Sequence, residues 1–185
     1  MMDRMGEVIV VTGPPGAGKS AVSKHLSSLL RPSAHVAGDV FFGFVRNGYI
    51  DPWLKEARDQ NELVTEAAAS AVGRLARRFH VVYDGVVGPW YLKRFLSASG
   101  LEAVHYAMLL PPLTVCLQRV ATRANHGFTD LDAAEHMWRD FDPSVHGLGR
   151  HVLAAMAPPA EIAQCLARHI TDGTMRYERH GADAS

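Results

Sequence analysis

The sequence predicts an α/β fold: a parallel sheet covered by helices on both faces. Short β-branched runs alternate with longer segments of helical periodicity, and strands joined through helices run parallel. Of the 185 residues, 48% are hydrophobic and 21% charged, a balance that suits one folded domain with a full core rather than a disordered chain.

The elements follow in order. Residues 7–11 (EVIVV) form a β-branched run that stops at a glycine/proline cluster, the pattern of a buried strand. Residues 20–30 bring Val22, Leu26, Leu29 and Leu30 to one helical face, and Arg31-Pro32 ends that helix. Residues 34–37 are a second strand. Residues 62–79, Ala-rich and amphipathic, are a helix. Residues 81–84 are a third strand, 90–99 a helix, and 103–110 a fourth strand closed by Pro111-Pro112. Residues 113–124 and 129–141 are helices, the second capped by Thr129 or Asp130. Residues 151–155 are a fifth strand and 160–169 the last helix. The polar tail from Tyr177 is expected to fray. No repeat, low-complexity block or linker divides the chain, so residues 1–176 are expected to form one domain and 177–185 a tail.

Charge and composition exclude several classes. Lys plus Arg and Asp plus Glu each total 19, for zero formal net charge, which argues against a general nucleic-acid or polybasic membrane surface. No apolar run reaches membrane-span length. The opening MMDRMGEVIVV enters a strand with no signal-peptide pattern. The two cysteines, Cys116 and Cys165, occupy apolar helical positions, as buried thiols in a reducing cytosol would. The ten histidines show no zinc-ligand spacing. A cytoplasmic protein with small-molecule partners is expected; the residue pattern specifies no oligomeric state.

Residues 13–20 read GPPGAGKS. They fit the P-loop (Walker A) pattern G-x-x-x-x-G-K-[ST] at every fixed position, between a strand and a helix. Glycines let successive N–H groups turn inward toward phosphate oxygens, and the helix adds its positive end. The expected nucleotide-binding set is Gly13, Pro14, Pro15, Gly16, Ala17, Gly18, Lys19, Ser20 and Ala21, joined by Arg119. Lys19 brings a cation to the β- and γ-phosphates, and the Ser20 hydroxyl is placed for Mg²⁺. Asp84 ends the apolar run VVYD and is the second candidate for the metal; the alternative is a turn-forming Asp-Gly pair.

Arg119 and Arg123 are four residues apart on one helix face. Phosphoryl transfer needs cations over the migrating group, and a lid at about residues 123–141 would bring them in and exclude water. The alternative is a solvated basic face. Asp39 follows Lys19 by about twenty residues, after the second strand, in AGDVFFGF. It is either a helix cap or the catalytic base that accepts the proton of an incoming hydroxyl. Phe41, Phe42, Arg46, Tyr49, Trp53 and Trp90 are the expected acceptor-binding residues, because small-molecule pockets combine apolar walls with a few polar groups. The alternative for each ring is core packing. Ligands of open parallel sheets bind outside the carboxyl ends of the strands, so the P-loop, Asp39 and Asp84 should share one face.

With GPPGAGKS, Gly38-Asp39, the YDG at residues 83–85 and Arg119-x-x-x-Arg123 in place, the chain resembles the nucleoside-monophosphate-kinase-like group of P-loop kinases. Within it, the resemblance is to small-molecule kinases such as chloramphenicol phosphotransferase, gluconate kinase and adenylylsulfate kinase. It extends to about residue 170. It implies a three-layer P-loop NTPase fold with strand order 2-3-1-4-5, ATP and Mg²⁺ as cofactors, and an adenine contact near residues 156–159. It also implies Asp39 as the base. The segment FFGFVRNGYIDPW lacks the multiple arginines that a nucleoside-monophosphate kinase uses to grip a second phosphate; only Arg46 and Arg58 are nearby. The acceptor expected is therefore a small, partly apolar hydroxyl compound, extending by analogy to an antibiotic. The alternatives are a nucleotide or nucleoside kinase and a non-kinase NTP-binding switch.

Overall fold

A computed structural model describes residues 5–122, 128–141 and 147–179. Strand β1 (Val8–Thr12) is buried along its whole length. It lies between β3 (His80–Asp84) and β4 (Ala103–Leu109), parallel to both. β2 (Ser33–Ala37) pairs with β3, and β5 (Val152–Leu153) with β4. The order β2-β3-β1-β4-β5 is the one the resemblance implied.

Alternation along β1 divides the core. Val8 and Val10 pack with Tyr83, Tyr106 and Met108 beneath α3 (Arg58–Leu75) and α4 (Pro89–Ser99). Ile9 and Val11 pack with Val82 and Leu109 on the opposite face. That face is covered by α1 (Lys19–Leu29) and the C-terminal helix, through Leu26 and Leu166. Successive strand side chains point to opposite faces, so an unbroken apolar run serves both layers. The remaining helices are α2 (Asp39–Phe42), which packs on α3, and α5 (Leu113–Thr122) and α6 (Leu131–Asp140), which pack on each other; the C-terminal helix is α7 (Pro159–Asp172).

Several boundaries differ from the sequence expectation. α3 starts at Arg58 rather than residue 62, where an Arg58–Glu62 ion pair of 3.2 Å spans the first turn. It ends at Leu75 rather than 79, because the Arg78 and Phe79 amides both turn back to the Leu75 carbonyl before β3 begins. The fifth strand has two residues, not five. His151 instead closes a 3₁₀ turn, Gly149–His151, with its ring fully buried. The tail expected to fray from Tyr177 contains β6 (Arg176–Glu178), antiparallel to the start of β4. Its ladder partner is some seventy residues away, beyond the reach of local periodicity. Asp130, one of the two expected caps, accepts a 2.9 Å hydrogen bond from the Ala133 amide at the start of α6. Both cysteines are free thiols, Cys116 buried and Cys165 half-buried.

The register sets the site. Ala37, Asp84 and Val11 lie side by side across β2, β3 and β1. The loops leaving all three strands therefore open on the same edge of the sheet.

Candidate active site

The P-loop leaves β1 and packs where only glycine fits. Gly13 has φ +142° and Gly16 φ +80°. A Cβ on Gly13 would lie 2.2 Å from the Leu109 carbonyl oxygen, and one on Gly16 2.3 Å from that of Cys116. Both obstacles are backbone, so any side chain would displace β4 or α5. Lys19 folds back over the loop and donates to the carbonyls of Gly13 at 3.0 Å and Pro14 at 3.1 Å. Arg119, on α5, donates from Nη1 to the Gly16 carbonyl at 3.2 Å, with that of Ala17 at 3.5 Å.

This cradle fits a polyphosphate. α1 begins with no side-chain cap and no acid in its first turn. Its first amides therefore meet neither a competing side chain nor a repelling charge. Ammonium and guanidinium both border the loop. The fit to Mg²⁺ rests on Ser20, which lines the cavity below the loop, and on Asp84. Among the described residues no group of three or more His, Cys, Asp or Glu side chains could hold an ion. A hydroxyl and one carboxylate suit Mg²⁺, which keeps several waters and takes further oxygens from phosphate.

Asp84 is buried at the end of β3. Its carbonyl accepts from the Gly38 amide at 2.7 Å, and its carboxylate lies 3.7 Å from Nε2 of His35 on β2. Asp39 opens α2, but the cap position belongs to Gly38 and no side-chain cap bond forms. The Asp39 charge is felt by Tyr83, whose hydroxyl is pushed well up by burial first and by Asp39 and Asp84 next.

A cavity of about 840 Å³ takes in part of this arrangement; neither Asp84 nor Arg119 is among its lining residues. Lys19, Ser20 and the loop glycines Gly16 and Gly18 line one end, with Asp39 beside them. Of the expected acceptor residues, Phe42, Tyr49, Trp53 and Trp90 line its walls. Phe41 packs against the core beneath, edge-on to Phe44 at 5.5 Å. Arg46 is exposed and away from the lining. Arg123 and lid residues 123–127 lie outside the described residues. The described part of the expected lid closes one wall. Phe128 meets Trp53 edge-on at 4.8 Å, and Phe141 meets Trp90 at 5.2 Å. α6 is tied down by Trp138, whose Nε1 donates to the Pro111 carbonyl at 2.8 Å. His136, Met137 and Asp140 of α6, with Asp51, Asn61 and Thr65, also line it. None of these six stood out in the sequence, although α6 was expected as part of the lid.

The chain is similar in sequence and in fold to several known proteins. A cytidylate kinase of Sulfolobus acidocaldarius is 31% identical over 117 residues, 62% of this chain and 60% of that protein. The match thus spans about three fifths of that relative's length. Among solved structures, the Deinococcus radiodurans tunicamycin resistance protein superposes with a TM-score of 0.64 and 21% identity, over 89% of this chain and 95% of that one. A shikimate kinase from Acinetobacter baumannii, in complex with shikimate, superposes at 0.65 with 20% identity, over 92% and 96%. The fold is shared with both of these structures. With a family match over residues 8–147 that takes in the P-loop, Asp39, Asp84 and Arg119, the chain belongs to the AAA domain family AAA_33.

Proposed function

We propose that the protein is an ATP- and Mg²⁺-dependent phosphotransferase that moves the γ-phosphoryl group onto a hydroxyl of a small, partly apolar molecule. One observation carries this: a single cavity has the P-loop at one end and a carboxylate among aromatic walls beside it. A nucleotide switch needs no such pocket.

In this reading Lys19 and the loop amides hold the β- and γ-phosphates, and Ser20 and Asp84 are the protein ligands for the metal. When bound, Mg²⁺ neutralises charge on the phosphate oxygens. Asp39 accepts the proton as the acceptor oxygen forms its bond to the γ-phosphorus. The bond from that phosphorus to the bridging oxygen breaks, and its electron pair leaves with ADP. Arg119, with Arg123 as its proposed partner, balances charge on the migrating group. An antibiotic acceptor is the extension suggested by the resemblance. A nucleotide acceptor is the second reading, favoured by the identity to cytidylate kinase.

The test is turnover of Mg-ATP by the purified protein against hydroxyl-bearing metabolites, antibiotics and nucleotides, reading a mass gain of about 80 Da, one phosphoryl group. The expected result is one phosphorylated non-nucleotide class, lost in Lys19→Ala. A phosphorylated nucleotide would establish the second reading. Acceptor-independent hydrolysis alone would overturn both.

A further inference from the structure

Tyr83 has no part in the chemistry described so far, yet it lines the cavity that holds Asp39. It lies on β3, is only 3% exposed, and its ring meets Phe95 edge-on at 5.1 Å. Two glycines leave room for its hydroxyl. A Cβ on Gly38 would lie 2.3 Å from the Tyr83 hydroxyl oxygen, and one on Gly85 2.7 Å. Neither glycine has a positive φ, so what glycine supplies at both positions is space for that oxygen. Gly38 directly precedes Asp39 in the chain. The neighbouring strand shows what a buried tyrosine ordinarily does: the Tyr106 hydroxyl donates to the Val87 carbonyl at 2.7 Å. The Tyr83 hydroxyl makes no hydrogen bond among the described residues. Buried polar groups almost always have a partner, and one that lacks it while facing a cavity is open to a partner that arrives with the substrate.

We infer that Tyr83 is a further substrate-contacting residue of the transfer step: its hydroxyl donates a hydrogen bond to the attacking oxygen of the acceptor and holds that oxygen against Asp39. This rests on the phosphotransferase reading above. An attacking hydroxyl has one proton and two lone pairs. Asp39 takes the proton, one pair forms the bond to the γ-phosphorus, and the other pair accepts from Tyr83. Tyr83 keeps its own proton throughout. The balance of the step is therefore unchanged, with the acceptor proton on Asp39 and the leaving electron pair on ADP. Burial first, and the charges of Asp39 and Asp84 next, oppose ionisation of the phenol, which suits a donor that stays neutral. A donor carried on a packed ring fixes the direction of attack, and orientation of this kind is a large part of what an enzyme supplies. The contact is made to the reacting oxygen alone, so it serves any hydroxyl acceptor, and water as well.

The experiment removes the one oxygen. Full-length parent and Tyr83→Phe are compared for Mg-ATP turnover, with water as the nucleophile and with each compound of the panel above that the parent phosphorylates. ATP affinity is read by calorimetry and stability by urea midpoint. The expected result is a fall in kcat of about tenfold for water and for acceptor alike, the scale of one neutral hydrogen bond. KM for the acceptor should rise, ATP affinity should stay the same, and the urea midpoint should not fall, because no hydrogen bond of the folded protein is lost. Tyr106→Phe is the control for a structural hydroxyl: it should lower the midpoint, by leaving the Val87 carbonyl unpaired, and keep turnover. Unchanged turnover in Tyr83→Phe would overturn the inference and leave the kinase reading intact. So would a loss accompanied by weaker ATP binding or a lower midpoint, or an equal loss of turnover in Tyr106→Phe. Failure of the parent to phosphorylate any member of the panel would overturn the kinase reading, and the inference with it.

Discussion

Arg119 and Gly16 lie 103 positions apart in the chain, yet the guanidinium donates a 3.2 Å hydrogen bond to the glycine carbonyl. The side chain thus does two things. It pins the P-loop against α5, and it keeps a fixed positive charge beside the phosphate cradle. Removing it should loosen both.

Arg119→Ala is expected to lower kcat/KM for ATP by about 10²-fold, the scale of one lost transition-state contact. Arg119→Lys should recover little, because a point ammonium cannot reproduce a rigid planar fork. Steady-state kinetics of the two variants check this; full activity in the lysine variant would show that charge alone suffices.

Asp39 heads α2 without capping it, so the carboxylate can be changed with little effect on the helix. Asp39→Asn is expected to leave nucleotide affinity unchanged by calorimetry. It should slow phosphoryl transfer by about 10²- to 10⁴-fold, the range of general-base catalysis. Unaltered transfer would remove Asp39 from the chemistry.

His151 sets a pH limit on stability. Its ring is fully buried, with Nδ1 3.0 Å from the Tyr106 carbonyl and Nε2 accepting from Arg150 at 3.1 Å. Burial holds the imidazole below its ordinary value of 6.5. The unfolded chain therefore takes up a proton that the folded ring resists. The stability contribution is whole above about pH 6.5 and declines below it, until the folded ring also protonates, at no more than about 1.4 kcal/mol per pH unit. His105, also lowered chiefly by burial, acts in the same direction. Urea midpoints between pH 7 and pH 5 (values on either side of the ordinary imidazole range, near 6.5) should fall less steeply in His151→Gln than in the parent. Parallel slopes would exclude this titration.

Gly73 lies inside α3, where alanine would ordinarily stabilise a helix by about 1 kcal/mol. Here a Cβ would lie 1.9 Å from the backbone oxygen of Ser99, the last residue of α4. Gly73→Ala is expected to push the two helices apart and to destabilise the protein by about 1–3 kcal/mol, read as a lower urea midpoint. A raised midpoint would mean that the helices separate without cost.

Much of this was written locally. The strand–loop–helix at residues 8–29 follows from a β-branched run, three glycines and a helical repeat, each acting within a few residues of itself. The sheet order came instead with the family resemblance. Asp39 and Asp84 were visible because single acids at the ends of apolar strands are conspicuous. The lengths of β5 and α3 were not, since a hydrogen-bonded turn outcompeted propensity before β5 and at the end of α3.

The sequence by itself determined the phosphate cradle, because glycine conformational freedom and the Lys-Ser pair are properties of consecutive residues. Tertiary structure alone decided the acceptor half. Phe41 and Phe42 are neighbours of equal hydrophobicity, and only contacts from distant elements send one toward the core and the other to the cavity. Asp51, His136 and Asp140 come from two regions more than eighty residues apart in the chain and meet in one lining. Their meeting depends on α6 docking through Trp138 and Phe141. Charge accumulates in a pocket through such long-range packing, which no local pattern of residues encodes.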